Sequence, residues 1–443
     1  MSECLLSVGL DVGTTSTQLV VSRLTVENRA SSFAVPDMDI TERSVLYKSP
    51  VYFTPLLDES HVDGAAIRAI VKAEYQNAGI RREDVDTGAI IITGETSRKE
   101  NARAVLDALS DYAGDFVVAT AGPDLESVLA AKGAGAVELS RTAGKPVLHM
   151  DIGGGTSNLA YIADGKIVRT GCLNVGGRLI KFDQNQTITY VSGVLSGIFH
   201  RKPGETATQP ELCKLAETLT QALEMAAGLR EPTDLMEKLL TEETGQKWNP
   251  PNGGVVLSFS GGVADCIAQD TPWDQFGDLG PILGRTIRES RLCQGEYALG
   301  RETIRATVIG AGSYSTQLSG STVYSQNVRF PLKNLPVARK NSEFHEGSVV
   351  LSLPGALPPT YAQVRAIAQE LAQNNPPELY ICLEADMAKA LGQALAARLS
   401  PDARILCIDR IHVGEDSYLD IGEPVGGAVP VVVKTLVLER RST

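Results

Sequence analysis

The sequence predicts an α/β protein built from two related lobes and closed by a small carboxyl-terminal α/β module. Three observations lead there. Strand-like and helix-like stretches alternate along the chain. A strand, glycine turn, strand unit near residue 10 recurs at an offset of about 140 residues, the size of a domain. After a stretch with prolines at 331, 336, 354, 358 and 359, the chain returns to a short helix and strand alternation. The expected division is 1–145, 146–330 and 331–443.

In chain order, "LLSVGLDV" and "TQLVVSRLTV" read as two strands about a glycine turn. "HVDGAAIRAIVKAEYQNAGI" reads as a helix and "TGAIIIT" as a buried strand. "ARAVLDALSDYAG" (102–114) is a second helix and "DFVVAT" a further strand. "PDLESVLAAKGAGAVELS" (123–140) reads as one helix rich in Ala and Gly. The pattern then restarts with "KPVLHMDIGGGTSNLAYIADGKIV". Setting 10–21 against 150–161 places Asp11 on Asp151, Gly13 on Gly153 and Leu19 on Leu159. Helices follow over 211–229 and 233–243, then the strand in "GGVVLSFSGGVADCI" and helical text over 284–303. The last unit reads helix (360–373), strand "ELYICLE", helix (385–399), then strands "RILCIDR" and "AVPVVVKTLVL".

The bulk composition narrows function by exclusion. With 443 residues and 43% hydrophobic content, the chain can build two or three real cores. A formal charge of −12 argues against a nucleic-acid partner and against docking on anionic membranes. The seven cysteines and five histidines are scattered, unlike clustered zinc ligands, and suit free thiols in a reducing cytosol. No secretory leader and no membrane-spanning run is legible, so a cytoplasmic location is expected.

The chemistry concentrates in the glycine turns. In "DVGTTS" and "DIGGGTS" a strand ends in Asp-X-Gly and small residues follow. Without a Cβ in the way, backbone N–H groups can close on a phosphate. Thr14, Thr15 and Ser16 in one turn, and Thr156 and Ser157 in the other, can add hydroxyl donors. The aspartates Asp11 and Asp151 repel phosphate directly, but each can hold a hydrated Mg²⁺ or orient a water for in-line attack. Each turn alone also fits a plain tight hairpin; the pair, one domain apart, favours a shared triphosphate. Neither is a P-loop, which ends in Gly-Lys-Ser/Thr, and neither opens a helix as a dinucleotide loop does. A third glycine site, Ser260-Gly261-Gly262, ends a strand and admits either a ribose and ring or an ordinary strand-to-helix turn.

Together these stretches resemble the actin, sugar-kinase and heat-shock-chaperone ATPase superfamily, with its duplicated ribonuclease-H-like lobes. "GLDVGTTST" and "MDIGGGTSN" look like its two phosphate turns and "SFSGGVADC" its adenosine turn. "DLESVLAAKGAGAVEL" and "RATVIGAGSYS" look like its connecting helices, crossing at small residues from Ala130 to Ala136. "ITGETSRKENA" and "GEPVGGAVPVVVKTLVL", with the two phosphate turns, are similar to the reactivating factors of adenosylcobalamin-dependent ethanolamine ammonia-lyase. That resemblance implies a slow ATPase, using ATP and Mg²⁺, that loosens the inactivated lyase so damaged cobalamin leaves and intact coenzyme rebinds. It also implies association with a bacterial microcompartment, and it leaves homo-oligomerisation open. Its implied assignments are Asp11 and Asp151 for Mg²⁺ and water; Gly13, Thr14, Thr15, Ser16, Gly153, Gly154, Gly155 and Thr156 for phosphates; and Gly261, Gly262, Gly310 and Gly312 for the rest of the nucleotide.

Glu95, after a buried strand, is a candidate general base or ligand of metal-bound water, with Arg98 for phosphate; both also suit a solvated helix start. Arg285, Arg288 and Arg291 share a helical face that either is solvated or lends one arginine to adenine. Two competing functions remain at this level. A small-molecule kinase of the same fold would use Asp124 as its base, and an assembly protein would bind ATP with little hydrolysis.

Overall fold

A computed structural model of the 443-residue chain describes residues 3–13, 16–29, 38–58, 61–93, 101, 105, 109, 117–120, 123–241, 248–251, 253–314, 316–319, 323–338, 349–353, 355, 360–411, 413, 417–424 and 428–435. In lobe one, β1 (Glu3–Val12), β2 (Ser16–Asn28), β3 (Met38–Lys48), β4 (Tyr52–Phe53), β5 (Thr87–Ile92) and β6 (Val117–Thr120) form one sheet. Its order is β3-β2-β1-β5-β6, with β4 on β2. Strand β5 is buried along its whole length, as its unbroken apolar run requires of a central parallel strand. Helix α1 (Gly64–Asn77) covers one face; Asp63 starts it by accepting the Ala66 N–H at 2.9 Å.

Two helices, α2 (Pro123–Gly133) and α3 (Ala136–Ala143), lead into lobe two. Sequence periodicity suggested a single helix over 123–140. Gly135 breaks it, because its φ of +80° lies in the left-handed region. Lobe two then holds β7 (Val147–Ile152), β8 (Ser157–Ala163), β9 (Lys166–Leu173), a small ribbon of β10 (Ile180–Phe182) and β11 (Ile188–Val191), helices α4 (Gln209–Ala226) and α5 (Asp234–Leu239), β12 (Val256–Ser260), α6 (Gly262–Ala268), α7 (Gly280–Glu289) and β13 (Tyr297–Leu299). Its main sheet runs β13-β12-β7-β8-β9. Read from β9, this is the lobe-one order again: three antiparallel strands, then two joined in parallel. The duplication expected from the hairpins is therefore a duplication of the sheets. The helical reading over 284–303 was too long, since α7 stops at Glu289 where Ser290 turns extended.

Helix α8 (Ala306–Tyr314) crosses α2 between the lobes. A Cβ on Gly133 would lie 1.9 Å from the Ala306 carbonyl oxygen, and one on Gly310 would lie 2.0 Å from that of Leu129. The small residues of both helices let their backbones touch. Straight after α8 comes β14 (Thr316–Leu318), followed by β15 (Tyr324–Gln326), β16 (Leu332–Ala338), β17 (Val350–Leu353), α9 (Tyr361–Leu371), β18 (Glu378–Leu383), α10 (Ala388–Ala396), β19 (Arg404–Ile408), β20 (Ser417–Ile421) and β21 (Pro430–Thr435). These strands make one eight-stranded sheet, β14-β21-β20-β16-β17-β18-β19-β15. The expected boundary at 330/331 cuts through this sheet, because β14 and β15 precede it. Among the described residues no helix is long and apolar enough to cross a membrane, and no cluster of three metal-ligating side chains occurs.

Candidate functional site

The two hairpin turns face one cleft of about 560 Å³ between the lobes. Each turn closes the same way: Gly13 N–H donates to the Ser16 carbonyl and Gly153 N–H to the Thr156 carbonyl, both at 2.9 Å. Registers match too, with Asp11 opposite Gln18 and Asp151 opposite Asn158. Gly13, Ser16, Gly153, Gly154, Gly155, Thr156, Gly261 and Gly262 all line the cleft with both aspartates. Nothing lies within 4 Å of a Cβ built on Gly155, and only the Thr156 carbonyl, at 3.5 Å, meets one on Gly153. Packing within the chain does not call for glycine at either position, and the space above both is open. Gly261 is different, since its φ of +86° and a Cβ position 2.3 Å from the Ile152 carbonyl oxygen demand glycine there.

Both aspartates are buried. Asp11 Oδ1 accepts from Thr93 Oγ1 at 2.9 Å. Burial pushes its pKa up to about 7, against the Thr93 hydrogen bond and with help from the Asp151 charge. Asp151 accepts from Ser260 Oγ, and from Thr307 Oγ1 at 3.3 Å, yet burial still raises it to about 6. Behind Asp151 sits a buried chain: His149 contacts Ser258 Oγ at 3.0 Å and Ser260 Oγ at 2.9 Å. Burial lowers His149 to about 3, so it is neutral at pH 7 and holds the Ser260 hydroxyl on Asp151. Two buried carboxylates lining one cleft offer oxygen donors that a cation would fit. Mg²⁺ takes oxygen ligands and keeps several waters, which fits this donor set.

The family described as ethanolamine utilisation protein EutA matches residues 3–349 and 342–439. This chain belongs to that family. The ethanolamine ammonia-lyase reactivases EutA of Salmonella typhimurium (strain LT2) and Escherichia coli (strain K12) are each 38% identical to it, over 98% of this chain and 98% of theirs. Among solved structures, the PPX-GPPA enzyme of Aquifex aeolicus is 13% identical and aligns with 70% of this chain and 99% of its own, with a TM-score of 0.43.

Not every expected residue reaches the cleft of this EutA family member. Gly310 and Gly312 do not line it. Gly310 packs on the backbone of α2, and a Cβ on Gly312 would lie 2.9 Å from the Gly9 nitrogen of β1. Both are glycines of close backbone packing, Gly310 against α2 and Gly312 against β1. Thr14, Thr15, Glu95 and Arg98 lie outside the described residues. Arg285 and Arg291 reach the carbonyls of Thr271 and Leu229, and Arg288 pairs with Asp270; none of the three lines the cleft. Among the lining residues not foreseen, two carry charges that bear on the chemistry. Glu126, on α2, adds a further carboxylate to the lining of the cleft. Arg178 follows β9 and brings a guanidinium to the cleft. The sequence hint was there in "NVGGRL", a glycine pair before an arginine.

Proposed function

We propose that this chain is an ATP-driven reactivating factor for ethanolamine ammonia-lyase. The single observation that carries this is identity of 38% with two reactivases across 98% of the chain. The cleft supplies the chemistry that such a factor needs. The N–H groups of the two turns close on the phosphates, and Gly261 and Gly262 leave room for the adenosine. Asp11 and Asp151 hold Mg²⁺, which when bound neutralises phosphate oxygens and acidifies coordinated water. Glu126 takes the proton of the attacking water. ATP binding favours the closed lobes and product release the open ones, and the partner's conformation shifts with them. The factor acts where its lyase is, in the cytoplasm or a microcompartment, and the outcome is exchange of damaged for intact adenosylcobalamin. The kinase reading loses its base: Asp124 accepts from Thr170 Oγ1 at 2.5 Å and is not among the lining residues.

The test mixes the pure protein with lyase blocked by a cobalamin lacking its adenosyl group, then adds adenosylcobalamin and follows ammonia and acetaldehyde. Activity is expected to return only with both ATP and Mg²⁺. No recovery, or equal recovery without ATP, overturns the reading. Within it, Glu126→Gln is expected to slow ATP turnover by roughly 10²- to 10⁴-fold, the usual contribution of a general base. Titration calorimetry should find Mg·ATP affinity within a few-fold of wild type. Unchanged turnover would remove Glu126 from the chemistry.

A further inference from the structure

The cleft is out of electrostatic balance for an anionic ligand. Asp11, Glu126, Asp151, Asp265, Asp270 and Asp278 line it, and among the described lining residues Arg178 alone is basic. Phosphates entering such a wall need positive charge beyond one divalent ion.

Arg178 is built onto the second glycine turn. Its N–H donates to the Gly154 carbonyl at 2.6 Å, and the Gly177 N–H to that of Gly153 at 3.0 Å. Gly176 makes this approach feasible, since a Cβ there would lie 2.4 Å from the Gly154 oxygen. The side chain then reaches two ways. Its Nε lies 3.0 Å from Asp278 Oδ2, while Asp278 Oδ1 accepts the Gly280 N–H at the start of α7. Its guanidinium carbon lies 5.0 Å from the centre of the Phe53 ring. Phe53 is on β4 of lobe one and is 75% exposed, so its own lobe does not bury it. The stack spans the cleft.

We infer that Arg178 is the nucleotide-sensing residue of the cleft: its guanidinium leaves Asp278 for a terminal phosphate oxygen, and its stack on Phe53 ties that exchange to lobe closure. The inference rests on the nucleotide reading above and names the residue that couples the fuel to the motion. A purely structural Arg178, holding Asp278 to α7, would weaken every nucleotide in proportion when removed. A sensor of the terminal phosphate weakens ATP more than ADP.

The experiment measures Mg·ATP and Mg·ADP binding by calorimetry, and compaction on Mg·ATP by small-angle scattering, for wild type, Arg178→Ala, Arg178→Lys and Phe53→Ala. Arg178→Ala is expected to weaken Mg·ATP on the order of ten- to a hundredfold, the worth of a charged hydrogen bond, and Mg·ADP by much less. Arg178→Lys keeps the charge without the planar fork and should recover part of the ATP affinity. Phe53→Ala, at an exposed position that tolerates change, should bind Mg·ATP within a few-fold of wild type but compact less. Equal losses for ATP and ADP, or normal compaction in Phe53→Ala, overturn the inference while the nucleotide reading stands. Failure of the wild type to bind Mg·ATP overturns both.

Discussion

Asp11→Asn is expected to raise the thermal midpoint of the nucleotide-free protein by several degrees at pH 8 while abolishing Mg²⁺-dependent ATP turnover. The folded chain holds the Asp11 carboxyl at about 7, against 3.8 for an ordinary aspartate. Between those values the folded state keeps a proton that the unfolded state has released. Stability therefore falls as pH rises through that window and stays low above it. Asparagine carries no charge at any pH, and its amide oxygen still accepts from Thr93. The shift of about three units bounds the gain at roughly 4 kcal/mol. At pH 4 the advantage should vanish, because wild-type Asp11 is then protonated when folded. Saturating Mg·ATP should reverse the order at pH 8, since only the wild type gains from the metal. Scanning calorimetry from pH 4 to pH 8, with and without Mg·ATP, decides it. A variant no more stable than wild type at pH 8 would show that the buried carboxylate carries no such strain.

Gly310→Ala is expected to destabilise the fold severely. The added methyl would lie 2.0 Å from the Leu129 carbonyl oxygen, which is backbone. Helix α2 has little room to retreat, because Ala130 and Ala131 are fully buried. Leu129 and Ala311 also share a core with Ala89 and Ile91 of β5 and Val432 of β21. Overpacking commonly costs 1–3 kcal/mol, and two rigid backbones in contact put this case at about 3 kcal/mol or beyond. Gly193→Ala is the control, since nothing lies within 4 Å of a Cβ there. Urea denaturation should separate the two variants clearly. If Gly310→Ala unfolds at the wild-type midpoint, the helix crossing is looser than described.

How far the sequence spoke depended on the range of each contact. The hairpins were legible down to the alignment of Asp11 on Asp151, because a strand, a glycine turn and a strand are all local. The sheet duplication followed from them. Gly310 and Gly312 show how glycine serves both a phosphate turn and a tight backbone contact; their place inside a helix was the clue to the second use. Glu126 escaped notice because the apolar residues of α2 do not gather on one face, so periodicity does not reveal which side looks into the cleft. Arg178 gains its position from Gly176 meeting Gly154, a contact 22 residues apart that no local pattern encodes. The carboxyl-terminal sheet was misdivided for the same reason: β14 pairs with β21 across more than a hundred residues.

One join has a mechanical meaning. Only residue 315 separates α8 from β14, and Thr316 Oγ1 lies 2.8 Å from Thr87 Oγ1 at the foot of β5. The described strands of the carboxyl-terminal sheet are thus fastened to α8 and to lobe one, not strung on a leash. In the proposed cycle a swing about the helix crossing would carry them as a stiff arm, so leverage would reach a client far from where the fuel is spent.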